Sequence, residues 1–162
     1  MAVICSKFKQ ITKIMYPMRH GLMHSDNHTI ESTHTMDLQY LDFDCSEDTE
    51  GVVCWDALAQ PAAHHTSGLL HEVTQLLTWA SRFSSEGPGP LDEGADWDFE
   101  LQVQWHSTHS PHHTPAQARW LAEEQTLDIH PAPQQGAQLE LSLCLSGTSA
   151  FAQAFREHWN AP

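Results

Sequence analysis

Two segments of this chain alternate without a break between apolar and polar side chains, and that period of two restricts the fold more than any other feature. In "WDFELQVQW", Trp97, Phe99, Leu101, Val103 and Trp105 fall on one side, with Asp98, Glu100, Gln102 and Gln104 on the other. In "LELSLCLS", Leu139, Leu141, Leu143 and Leu145 oppose Glu140, Ser142, Cys144 and Ser146. A strand with one greasy and one polar flank belongs to an antiparallel sheet that keeps one face wet.

Two further strands are read from "LQYLDFDC" and "GVVCWDALA", joined by "SEDTEG" into a hairpin over residues 38–59. Leu41 and Phe43 share one face of the first, and Asp42 and Asp44 share the other. Gly51 supplies the positive φ that such a turn favours. Residues 126–130, "TLDIH", are a candidate strand that would pair with 139–146 across "PAPQQG". Residues 106–118 read as a loop by composition, and "PAQARWLAEEQ" as a short helix.

Apolar residues at helical spacing mark a first helix: Leu69, Leu70, Val73, Leu76, Leu77, Ala80 and Phe83. Thr66 or Ser67 would cap it, and "GPGP" at 87–90 would end it. A second follows "LSGTS", with Thr148 or Ser149 as cap and Phe151, Ala154, Phe155, His158 and Trp159 on one stripe. The expected fold is therefore α+β: a four- to five-stranded antiparallel sheet with two helices packed on one face. Its order is ββα, then β, a loop or short helix with a candidate strand, then βα.

Charge divides the chain unevenly. Residues 1–25 hold four of the seven basic residues and no acid, whereas the rest sets Arg82, Arg119 and Arg156 against all 21 acids. Residues 1–35 are read as a basic N-terminal extension, disordered or produced by a start assigned upstream of Met23 or Met36. Residues 36–162 are read as a single acidic α+β domain. So acidic a body repels phosphate backbones, which argues against nucleic acid as a direct partner. No apolar run has the length of a membrane helix, so no membrane association is expected.

Cys5, Cys45, Cys54 and Cys144 form no CxxC pair and offer no zinc-finger spacing. Reduced thiols and a cytoplasmic location are expected, the alternative being a Cys45–Cys54 bridge across the hairpin. Exposed edge strands and Trp159 leave room for a homodimer.

Two groups of residues are candidate sites. Asp42, Asp44, Asp98 and Glu100 would gather on the uncovered sheet face and attract a basic protein surface. His106, His109, His112 and His113 could converge on a metal ion in the His-rich loop. No nucleophile elbow, phosphate loop or HExxH helix is present, and a flat wet face gives carboxylates no desolvated cleft for acid/base work. The expected role is a non-enzymatic binding module of inhibitor, immunity or adaptor type, needing no cofactor. The alternative is a metal-binding protein or metal-dependent enzyme using the His loop.

Overall fold

A computed structural model describes residues 36–107, 113–133 and 136–162. The expectation for residues 1–35 lies outside the described residues. So do His109 and His112.

The described chain is α+β, and its sheet has six antiparallel strands: β1 (Asp44–Glu47), β2 (Val53–Ala59), β3 (Trp97–His106), β4 (His113–Leu121), β5 (Thr126–His130) and β6 (Gln138–Gly147). They lie in the order β1-β2-β6-β3-β4-β5. Helix α1 (Thr66–Phe83) connects β2 to β3, and α2 (Ser149–Trp159) follows β6. Among the described residues no helix is long and apolar enough to cross a membrane.

The sheet is packed on one side because its alternation is in phase across strands. Val53, Trp55 and Ala57 of β2, Trp97, Val103 and Trp105 of β3, and Leu139, Leu141, Leu143 and Leu145 of β6 all turn into one core. Leu69, Leu76 and Leu77 of α1 and Phe151 and Phe155 of α2 meet them there. Phe151 is the centre of that layer. Its ring packs on Trp55 and Trp97 of the sheet, Trp79 and Phe83 of α1, and Phe155 of its own helix. Gly147, at the end of β6, has no side chain because a Cβ there would collide with the Phe151 ring.

Five details differ from the expectation, the first being six strands where four to five were expected, because residues 113–121 add one. Residues 113–121 form β4 rather than a loop and a short helix: Ala116, Ala118 and Trp120 alternate toward the core face, while Gln117 and Arg119 point away. Pro115 fits because it faces β3 alone, β5 pairing only with residues 117–121. β5 accordingly pairs with β4 rather than β6, whose two neighbours are β2 and β3. The segment before β1 is strand only from Asp44, since the amides of residues 39–41 are bound elsewhere. Finally, neither Thr66 nor Ser67 caps α1; both lie inside it, after a 3₁₀ turn over Ala63–His65. The cap of α2 is Thr148, whose hydroxyl accepts the Phe151 amide.

The residues before β1 are tied across the helices by a buried acid. Glu72 interrupts the apolar stripe of α1, is 7% exposed, and accepts the backbone N–H groups of Gln39, Tyr40 and Leu41 at 2.6, 3.0 and 2.8 Å. The Tyr40 ring then lies over Gly68, where a Cβ would stand 2.6 Å from the phenolic oxygen. Met36 N–H donates to the His158 carbonyl at 2.8 Å, and Phe43 meets Phe155 edge-on.

His158 stacks on Trp79 with ring centroids 5.2 Å apart, and burial depresses its pKa below the ordinary imidazole value. Folding therefore favours the neutral ring. Its contribution is fully present above the unfolded-state pKa and is lost as pH falls through the depressed folded value. Urea midpoints measured between about pH 7 and pH 5 should drop more in the wild type than in His158→Gln. Parallel curves would contradict this.

Candidate functional site

The face turned away from the helices is where the remaining chemistry collects, and the register fixes its layout. Asp44 of β1 stands opposite Asp56 of β2, Asp56 opposite Cys144 of β6, and Cys144 opposite Glu100 of β3. One row thus crosses four strands carrying three carboxylates and a thiol. At a strand spacing of about 4.8 Å, Asp44 and Glu100 lie roughly 14 Å apart. In the next row Ser46, Cys54, Ser146 and Asp98 are in register.

Of the four acids expected on this face, Asp44 and Glu100 are exposed and Asp98 is half-buried on it. Asp42 is exposed but precedes β1, outside the paired rows. Asp56 is the acid that sequence reasoning missed. The signal was available, since Val53, Trp55, Ala57 and Ala59 alternate and place Asp56 with Cys54 on the opposite flank. Leu58, 64% exposed, stands on that flank too, opposite Ser142. On β4 and β5, Arg119 faces Asp128 in register, and Asp128 also contacts His130 at 2.9 Å.

Cys54 and Cys144 come together diagonally across β2 and β6, with sulfurs 3.2 Å apart. Asp56 Oδ2 lies 3.9 Å from the Cys54 sulfur. Donation from the Cys144 thiol favours the Cys54 thiolate and lowers its pKa, although burial and Asp56 act the other way. Cys144 is pushed up, chiefly by that same hydrogen bond and then by burial and the nearby acid. The Cys45–Cys54 bridge is ruled out by register: Cys45 is opposite Trp55 and Cys54 opposite Ser46, so the two thiols point to different faces. Cys45, Cys54 and Cys144 are all free.

At the other end of the face, β3 and β4 bring His106 and His113 into register, with their Nδ1 atoms 2.8 Å apart. The Nε2 atom of His106 lies 3.1 Å from Glu140 Oε2, and Gln104 Nε2 donates to the other oxygen of Glu140. His106 thus has a histidine beside Nδ1 and a carboxylate beside Nε2, but only the His113 contact has hydrogen-bond geometry, Nε2 being buried without a hydrogen-bond partner among the described residues. The two nitrogens point apart, so these three residues as placed do not converge on one point. Beyond Val103 and Ala116 the register pairing of β3 with β4 ends. A groove of about 550 Å³ opens there, lined by Gln102, Gln104, Gln117, Arg119 and Glu140 among others.

Comparison with family models, with curated proteins and with solved structures finds no match.

Proposed function

We propose that this chain is a small acidic binding module, non-enzymatic and of inhibitor, immunity or adaptor type, whose open sheet face docks a basic protein surface. The observation that supports this most is the row Asp44, Asp56, Cys144, Glu100, with Asp98 beside it, on a sheet whose other face is taken by both helices. Of the three basic residues after residue 25, only Arg119 belongs to a strand; Arg82 and Arg156 lie on the helices. The field over the face is thus set by carboxylates, which raises the encounter rate with a cationic surface and disfavours anionic ones. Leu58, one row beyond Asp56 on the same flank, gives that surface an exposed apolar point to bury. The row of acids lies outside the groove at Gln102, Gln104 and Glu140, which favours association over acid/base catalysis as their role.

The test begins with a binding partner isolated at low salt and then purified. Its affinity should fall roughly tenfold or more when salt is raised from about 0.05 to 0.5 M, and should be lost in Asp44→Asn/Asp98→Asn/Glu100→Gln. A variant with the same charge change away from the strands, Glu86→Gln/Glu123→Gln/Glu124→Gln, should bind normally. Equal loss in both variants would reduce the effect to net charge and defeat the proposal.

A second reading, metal binding by His106, His109, His112 and His113, is favoured by the close approach of His106 and His113. It calls for metal copurifying with untagged protein and lost on replacing those four residues by Ala.

A further inference from the structure

The open face holds a thiol-bearing donor set whose ligating chemistry neither reading uses, although Asp56 and Cys144 also lie in the row on which the docking proposal rests. In β2 and β6 a period of two places residues 54 and 56 on the same flank as 144 and 146, and the register closes them into a cross-strand square. Three of its four corners are metal-ligand types: Cys54, Asp56 and Cys144. Their donor atoms all lie within 4.8 Å of one another, and each residue is half-buried rather than freely mobile in solvent. The residues belong to rigid paired strands, β6 being flanked on both sides, so little ordering remains to be done when an ion arrives.

We propose that Cys54, Cys144 and Asp56 form a binding site for a thiophilic divalent cation of the zinc class. Two sulfurs and one carboxylate oxygen match the ligand preferences of zinc, whereas magnesium and calcium take oxygen alone. Zinc–sulfur bonds of about 2.3 Å at a tetrahedral angle separate two sulfurs by about 3.8 Å. The observed 3.2 Å therefore has to open only slightly, which side-chain rotation supplies. Binding is balanced by the release of two thiol protons: the cation takes two thiolates and a carboxylate, and both protons go to solvent. The fourth coordination position faces the open side of the sheet and is filled by water. Asp44 and Glu100, at the ends of the same row, concentrate cations at the site.

A redox role for the same two thiols is the competing account. It leaves Asp56 without a purpose and needs an external oxidant, which the cation site does not. The inference stands apart from the docking proposal, because it is read on the isolated protein with no partner added.

Cobalt(II) is the probe, since thiolate ligation gives it an intense charge-transfer absorption that nitrogen and oxygen ligands lack. The full chain carrying Cys5→Ser and Cys45→Ser, reduced and freed of metal, should develop that absorption on titration and lose it on addition of zinc. Cys54→Ser and Cys144→Ser should each abolish it. Asp56→Asn should keep the absorption but weaken zinc binding by at least about tenfold. His106→Ala/His113→Ala should leave it unchanged. Both serine variants sit on the half-buried flank, and circular dichroism checks that they fold. No charge-transfer absorption in the reduced protein, or its survival in Cys54→Ser, would overturn the site. So would protein that forms a Cys54–Cys144 disulfide in air yet takes no cobalt when reduced.

Discussion

Phe151→Ala is expected to destabilise the protein by about 3–5 kcal/mol, the range for removing a fully buried aromatic ring. Its ring touches both helices and two strands, through Trp55, Trp79, Phe83, Trp97 and Phe155. The surrounding rings are large and stiff, so the space left behind closes poorly and the cavity term adds to the lost burial. Phe151→Leu keeps much of the volume and should cost less than half as much. Urea unfolding monitored by tryptophan fluorescence measures both variants. A loss below about 1 kcal/mol for the alanine variant would mean that the two helices do not share one core with the sheet.

Glu72→Ala carries the second large effect, about 2–4 kcal/mol. Three backbone N–H groups lose their acceptor together, and each such group costs about 1–3 kcal/mol when water cannot replace the bond fully. Glu72→Gln keeps one carbonyl oxygen and should fall between the alanine variant and the wild type. Hydrogen exchange gives a readout independent of global stability. The amides of Gln39, Tyr40 and Leu41 should exchange much faster in Glu72→Ala while those of β6 change only with overall stability. Unaltered exchange at residues 39–41 would show that the carboxylate does not hold that segment.

These two positions also mark how far the sequence could be read. Phe151 was legible: its spacing with Phe155 and Trp159 defines the stripe of α2, although Ala152 is buried where Ala154 was expected. Glu72 was visible as an acid in the middle of an apolar helix face, but its partners are more than thirty residues away and nothing local names them. The same division runs through the sheet. Strands β3 and β6 were plain because every second residue is large and apolar. Strand β4 was read as loop and helix because its inward residues, Ala116 and Ala118, are small and its first half is histidine, threonine and proline. Gly51 was expected to turn the first hairpin and does so with φ +82°, while Asp48 accepts two amides of the same turn.

The open face was anticipated as a class of surface and not as a pattern. Asp98 and Glu100 followed from alternation alone. That Asp56 shares a row with Glu100, and that Cys54 meets Cys144, depends on β2 pairing with β6 across ninety residues of sequence. Such pairing is a property of topology. The His-rich loop shows the reverse: composition singled it out, and the placement of His106 against both His113 and Glu140 came from the β3–β4 and β3–β6 registers.

Carbodiimide footprinting of the carboxylates, with and without the purified basic partner, tests the docking face most directly. In the free protein Asp44 and Glu100 should label readily and Glu72 should not. In the complex the account predicts protection of Asp44, Asp56, Asp98 and Glu100, with Glu157 on α2 and Glu86 in the loop after α1 as reactive as before. Protection of Glu86 and Glu157 with Asp44 and Glu100 still labelled would contradict it, and would move the docking surface to the opposite side of the molecule.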